Sequence, residues 1–320
     1  MLGANLTGYA LDPAHDWDNF VRCGLSRKMI DLRGDVRDLT RLKMAFEAYR
    51  PEVVFHLAAQ PIVRRSYREP AETFETNVMG TVNVLEAARA CGSVKAVVIA
   101  TSDKCYENHE SIWGCREEDP LGGVDPYSAS KGCAELVTSA YRNSFFPPEK
   151  GKAVVSVRAG NVFGGGDWSE FRLVPDCIRA LEENRPIELR SPESVRPWQF
   201  VLEPLSGYLL LAAELLCGAP LDGAWNFGPE PEGSVSVQAL AELLAKIWGG
   251  SARVRCAAEE NAPYEAAALS LDCTKAKLLL GWRPRLDLQT ALEFTAEWYR
   301  REDDAMNLCQ SQIARYSERM

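Results

Sequence analysis

Short apolar runs alternate with longer amphipathic stretches through the first half of the chain. Four runs read as strands, Asn5 to Leu11, Glu52 to Ala58, Lys95 to Thr101 and Ala153 to Arg158, with a weaker fifth at Lys28 to Leu32. Their nearly continuous valine- and alanine-rich character predicts burial on both faces, as in a parallel sheet covered by helices. Helical spacing occupies Leu39 to Tyr49, Pro70 to Ala90 and Pro126 to Ser144. The last two are long enough to cross a sheet and keep an outer face, which can bury the matching pair of a second copy, so a homodimer is expected. Beyond Arg158 the pattern is broken by Gly164-Gly165-Gly166, Pro186, Pro192, Pro197, Pro229 and Pro284, which predicts a smaller lobe of shorter elements. Helical patterns recur at Glu203 to Cys217, Val235 to Trp248, Thr274 to Leu280 and Leu288 to Arg300, and the polar tail after Glu302 is expected to fray.

The pattern predicts an α/β fold, a Rossmann-like doubly wound parallel sheet with a smaller C-terminal substrate lobe. A dinucleotide-binding domain is expected over 1–162 with 199–222 and 287–302, a substrate lobe over 163–198 with 223–286, and a tail over 303–320. In such a sheet the first strand ends in a glycine-rich turn that brings backbone N–H groups to a pyrophosphate. Met1-Leu2-Gly3-Ala4-Asn5 reads instead as the end of a first helix running into the second strand, and Gly3 and Gly8 are wrongly placed for that fingerprint. The expected fold therefore lacks the first strand and its turn. Two explanations stay open: a start placed too far downstream, which is favoured, or a chain that natively lacks the unit. The glycines at 164–166 follow a late strand and fit a loop beside a substrate.

Composition narrows the function classes. The chain has 320 residues, 46% hydrophobic and 25% charged, with a formal charge of -9, which opposes nonspecific attraction to nucleic acid or anionic lipid. No apolar run of roughly 18 residues and no leader pattern occurs, so a cytoplasmic protein without membrane partners is expected. Ten scattered cysteines without a CxxC pair read as free thiols, and three histidines suggest no metal site.

The sharpest local signal is Tyr127-Ser128-Ala129-Ser130-Lys131, since residues four apart share a helix face. A phenol needs cationic neighbours to act as a base near neutrality, and Lys131 with an oxidised nicotinamide would supply them. Alone, a stray YxxxK on a surface helix is the better reading. Its position changes this, because the helix follows Asp125-Pro126 and an apolar strand ends one loop earlier in Thr101-Ser102-Asp103-Lys104. Ligands of open parallel sheets bind beyond the carboxyl ends of strands. A strictly extended chain would send Asp103 and Lys104 to opposite faces, so both meet one ligand only if the chain turns there.

Residues 101 to 146 (TSDKCYENHE…YRNSFF) are similar to CDP-glucose 4,6-dehydratases of the extended short-chain dehydrogenase/reductase family, as are HLAAQPIVRRSYREPAETFETNVMGT, RAGNVFGGGDW and RPWQFVLEPLSGYLLLA. The resemblance runs from about Gly3 to Trp298. YxxxK marks only the superfamily, whereas Lys104, where relatives acting on dTDP-glucose and GDP-mannose carry a carboxylate, points toward CDP-glucose. The resemblance implies NAD as cofactor and oxidation at C4, loss of water across C5 and C6, and return of hydride to C6, a step of deoxysugar biosynthesis. It implies Tyr127 as the base at the 4-hydroxyl, Ser102 as its hydrogen-bond partner, Lys131 as the group that lowers the phenol, Asp103 as acid and Lys104 as base, with Lys104 alternatively only orienting water or substrate.

Carried over in the same way are NAD contacts at Asp35, Val36, Leu57, Ala58, Ala59, Gln60 and Thr76 beside Tyr127 and Lys131, and nucleotide-sugar contacts at Asn161, Arg172, Arg196 and Trp198. Guanidinium forks suit a diphosphate, and Arg196 is the strongest of these. Asp12 fits either a ribose hydroxyl or a turn cap. His56, Tyr208 and Trp225 read as core residues. Two rivals remain: an epimerase or reductase on the same cofactor, and a truncated chain that binds nucleotide sugar without turning it over.

Overall fold

The computed structural model describes residues 3–147, 151–230, 233–249, 253–257, 269–300 and 304–319. Its strands are β1 (Thr7–Ala10), β2 (Ile30–Arg33), β3 (Val53–His56), β4 (Ala96–Ala100), β5 (Ala153–Arg158), β6 (Val162–Phe163), β7 (Ile187–Leu189), β8 (Val195–Pro197), β9 (Gln199–Phe200), β10 (Gly223–Asn226), β11 (Ser234–Ser236) and β12 (Val254–Cys256). The helices are α1 (Asn19–Arg22), α2 (Leu39–Tyr49), α3 (Val63–Arg68), α4 (Pro70–Phe74), α5 (Gly80–Ala90), α6 (Pro126–Phe145), α7 (Leu173–Glu182), α8 (Leu202–Leu216), α9 (Val237–Trp248), α10 (Thr274–Leu279), α11 (Leu288–Arg300) and α12 (Ala305–Ser317).

The main sheet is parallel, in the order β10-β5-β4-β3. Side-chain alternation along β4 and β5 builds a layer on each face. Ala96, Val98, Val155 and Val157 meet Tyr208, Leu211 and Leu215 of α8 on one side. Val97, Ile99 and Val154 meet Val84, Leu85 and Ala88 of α5 on the other. This two-sided burial is what the continuous apolar runs predicted. Burying one such valine or leucine contributes about 1.5–3 kcal/mol, so these two layers hold the sheet firmly between its helices.

The pair β1-β2 is parallel but is not hydrogen-bonded to the main sheet. In the doubly wound order 3-2-1-4-5-6, the break between β1 and β3 falls at the place of strand 1. No described strand occupies it. A third apolar cluster joins α7, α9, α11 and the β6-β9 pair around Phe163, Trp198, Phe200, Leu240 and Phe294.

Two expectations are corrected. The polar tail does not fray: α12 carries Ala305 and Leu308 into the third cluster, and the Tyr316 hydroxyl donates to Glu203 Oε2 at 2.7 Å. Strand β10 pairs with β5 and widens the main sheet, and α11 packs on α9 in the third cluster. The single helix expected over Pro70 to Ala90 is also interrupted, by one π turn at Glu75–Met79. That turn aims Asn77 inward, where its Nδ2 donates to Gln60 O and Ser130 Oγ and its Oδ1 accepts from Gln60 N. His56, Tyr208 and Trp225 are buried, and all ten cysteines are free thiols. Among the described residues no helix is long and apolar enough to cross a membrane and no cluster of metal-ligating side chains occurs.

Candidate active site

The start of α6 fixes Tyr127. Asp125 caps the helix by accepting from Ser128 N at 2.9 Å, and Pro126 fills the first turn, where no backbone donor is needed. Tyr127 N donates to Ser66 Oγ of α3 at 3.2 Å, which locks the two helices together. One turn later Lys131 is 5% exposed, and its Nζ donates to Ala100 O at the end of β4 at 3.2 Å. Helix period alone thus delivers both side chains to the strand end.

Directly after β4 the chain makes a 3-10 turn at Asp103–Cys105, capped by Ser102 Oγ accepting from Lys104 N. The turn meets the geometric condition set by the sequence, and both Asp103 and Lys104 line one cleft of about 410 Å³. Ser102 Oγ donates to Asp103 Oδ1 at 2.9 Å and shares a hydrogen bond with the Tyr127 hydroxyl. Asn161, in a left-handed conformation at φ 48°, donates from Nδ2 to Asp103 Oδ2 at 3.5 Å. Asp103 also owes its place to Gly160, because a Cβ there would stand 1.8 Å from Asp103 Oδ2.

Burial governs the electrostatics of this group. It raises Asp103 above the ordinary carboxyl value, against the pull of Lys104, the Ser102 hydrogen bond and Arg196. It pushes Tyr127 up to about 12, opposed by the Ser102 hydrogen bond and the charge of Arg172. It brings Lys131 down to about 8, opposed by Glu135. Burial thus outweighs the groups that would lower the phenol in this chain by itself.

Eleven of the expected residues line the cleft: Leu57, Ala59, Ser102, Asp103, Lys104, Tyr127, Lys131, Asn161, Arg172, Arg196 and Trp198. Trp198 is only a wall, since its Nε1 donates to Val235 O and the ring is 8% exposed. Arg196 is nearly buried, and Arg172 stands 3.9 Å from Asp167. Five residues lie outside the cleft. Asp35 is held by Arg37 at 2.6 Å, Val36 is buried in the α2–α5 layer, and Ala58 packs against that same layer. The Gln60 side chain is engaged by Thr73 and by Ile62 N, and Thr76 sits in the π turn. Asp12 is exposed, 3.8 Å from Arg33.

The cleft joins a sheet-end acid and phenol to an arginine-bearing lobe, and comparison with known proteins agrees. A family model for GDP-mannose 4,6 dehydratase matches residues 16–214. The chain belongs to this dehydratase family. A CDP-glucose 4,6-dehydratase of Salmonella typhimurium is 47% identical over 98% of this chain and 90% of its own length. Among solved structures, a UDP-glucose 4-epimerase of Thermus thermophilus in complex with NAD superposes with a TM-score of 0.76, at 27% identity over 86% of each chain. A dTDP-glucose 4,6-dehydratase of Streptomyces venezuelae with NAD bound gives 0.74, at 27% identity over 85% of this chain and 80% of that one.

Sequence reading passed over several cleft residues of this dehydratase-family chain. Arg64 on α3 and Arg190 beyond β7 both line the cleft, and their guanidinium groups lie 5.5 and 5.7 Å from the Phe171 ring centroid. Phe171 itself takes φ 63°, a conformation rare for an aromatic residue. The signal for Gly160 was a glycine directly after β5, where backbone and ligand approach closely.

Proposed function

We propose that this chain is an NAD-dependent dehydratase that converts CDP-glucose to CDP-4-keto-6-deoxyglucose and water. The observation that carries the reading is the buried Asp103 beside Ser102 and Tyr127 in a cleft that also holds Lys104. Burial raises the Asp103 carboxyl above its ordinary value, the direction that an acid for a departing hydroxyl needs.

The residues present fit the two ends of NAD. The small side chain of Ala59 leaves room in the cleft beside Lys131 for the nicotinamide half, with Ala58 behind it against the α2–α5 layer, and the carboxylates of Asp12 and Asp35 follow β1 and β2, where ribose hydroxyls and adenine would be met. Gln60 and Thr76 position that wall, and Val36 and Leu57 complete it, Val36 by its main chain. Between the ends, no described helix start follows a glycine-rich turn. When bound, NAD supplies a hydride acceptor at C4 that is also the later donor at C6.

The protein's own groups move the protons. Tyr127 accepts the proton of the 4-hydroxyl while Ser102 holds that oxygen. The nicotinamide charge adds the cationic field that this buried phenol needs. Lys104 removes the C5 proton, acidified by the ketone, and Asp103 protonates the leaving 6-hydroxyl. Arg172 and Arg196 hold the diphosphate, with Asn161 and Trp198 shaping the hexose pocket. The cleft is the natural seam between a dinucleotide domain and a nucleotide-sugar lobe.

Purified chain mixed with NAD and CDP-glucose is expected to form the 4-keto product, read by its enone absorbance in alkali. Tyr127→Phe should lower turnover about 10²- to 10⁴-fold without shifting the melting temperature. An epimerase would leave a gluco/galacto mixture and no enone, and would keep most of its turnover in Lys104→Met.

The exposed Phe74, Met79, Leu136 and Phe145 on α4 through α6 support a homodimer through these helices. Leu136→Glu is expected to halve the mass seen by light scattering. An unchanged mass would place any interface elsewhere.

A further inference from the structure

Cations gather along the cleft of an otherwise acidic chain. The charges of Arg196 and Arg172 act on Asp103 and Tyr127, so they stand next to the reacting groups. Farther along the lobe wall Glu188, Leu189 and Arg190 line the cleft, and exposure along β7 and the residue after it alternates: Ile187 and Leu189 are 1% exposed, while Glu188 is exposed and Arg190 half-buried. Two residues apart on an extended chain, these side chains share one face. Arg190 is held at one corner, with Nη2 donating to Phe171 O at 3.1 Å, its guanidinium carbon 5.7 Å from the Phe171 ring centroid and Asp176 at 3.8 Å. A guanidinium carries five N–H donors, so one held at a single Nη keeps others to offer a ligand in the cleft. Arg255 lies opposite Glu188 in the β7-β12 register but is exposed and not part of the cleft.

We propose that Glu188 and Arg190 read the nucleobase, as an acceptor followed by two donors, and thereby select cytosine. The inference rests on the cleft holding a cytidine diphosphate sugar with its hexose at Asp103 and Tyr127. That pose directs the base beyond Arg172 and Arg196, toward β7. The pairing edge of cytosine offers the N4 amino donor, then the N3 and O2 acceptors. The Glu188 carboxylate accepts from N4, and the Arg190 fork donates to N3 and O2. Uracil and thymine present an acceptor, a donor and an acceptor. Their O4 would meet the carboxylate and their N3–H would meet a guanidinium N–H, two like-facing clashes. The hydrogen bond from Arg190 to Phe171 O sharpens the selection by restricting how the fork can turn.

CDP and UDP binding to the NAD-loaded full chain, measured by calorimetric titration, tests this beside the turnover assay. Wild type should prefer CDP by tenfold or more, and Arg190→Gln should weaken CDP about 10- to 100-fold with little change for UDP. Glu188→Gln, at an exposed position that tolerates change, should narrow the CDP-to-UDP ratio by about tenfold, since an amide can donate to O4 of uracil. Equal weakening of CDP and UDP in Arg190→Gln would make it a phosphate cation and overturn the inference, as would an unchanged ratio in Glu188→Gln. Turnover of CDP-glucose with unaltered ratios sinks the base reading alone. Preference for CDP without turnover upholds it while the dehydratase reading fails, and a chain that binds neither nucleotide overturns both.

Discussion

The two flanks of the sheet are built on different terms. Under β4, β5 and α6, charged groups are wholly buried and fully partnered. Glu135 and Arg158 are each 3% exposed and paired by two hydrogen bonds at 2.9 and 2.8 Å. Thr101 and Ser156 donate to the same carboxylate, and Arg158 donates onward to the Tyr106 hydroxyl, which donates to Asn226. At β1 and β3, by contrast, apolar side chains meet solvent: Leu11 is 65%, Leu57 55% and Phe55 36% exposed. Charge pairs there, such as Asp35 with Arg37, are open to water. The reacting groups thus stand on a rigid, satisfied base, while the wall expected to meet the adenine end of the cofactor has little internal support. Chemistry and cofactor affinity should therefore respond to different mutations.

The largest expected effect breaks the rigid flank. Glu135→Ala leaves the Arg158 guanidinium buried without its counter-charge and should cost about 3–5 kcal/mol in urea unfolding. A loss under 1 kcal/mol would show that water reaches the network. Burial alone would raise the Glu135 carboxyl, but Arg158, Thr101 and Ser156 outweigh it and the value ends lowered. Its contribution is present above the ordinary carboxylate range and lost as pH falls through the lowered value.

A middle effect lies where the flanks meet. Burial, aided by the charge of Lys131, lowers His56 to about 3, so the folded ring stays neutral. Thr81 Oγ1 donates to Asn77 O, which makes His56 Nε2 the donor toward Thr81 at 3.2 Å. The unfolded ring takes a proton from about pH 6.5 downward and the folded ring does not, so stability falls as pH drops. Between that point and about pH 5 the loss should be about 2 kcal/mol, and His56→Gln should flatten this part of the pH–stability curve. An unchanged slope would mean the ring is solvated.

The smallest effect tests the open flank. Asp35→Asn removes a half-exposed pair and should change stability by no more than about 1 kcal/mol. NAD affinity by fluorescence titration should nonetheless fall about tenfold if Asp35 receives the adenine end. Unchanged affinity would remove Asp35 from that role.

Helix period and capping made the Tyr127–Lys131 pair legible, because Asp125-Pro126 sets where α6 begins. The strands β4 and β5 were legible because burial on two faces leaves no polar alternation. The Phe171 cluster was not, since α3 (VRRSYR) is too short and too polar to show a period and its partners come from 19 residues or more away in sequence. Helix α12 (AMNLCQSQIARYS) read as a tail because a single small apolar face and the hydroxyl of Tyr316 anchor it. The Glu135–Arg158 pair was hidden because partners 23 residues apart carry no mark of one another.

That anchoring of α12 has a consequence for synthesis. Glu203, 1% exposed, accepts from Arg285 N, Leu286 N and the Tyr316 hydroxyl, so its last partner is made 113 residues after it. A nascent chain that has not yet made α12 can assemble the sheet but cannot close this contact. The underside of α8 therefore becomes native only once α12 has been made.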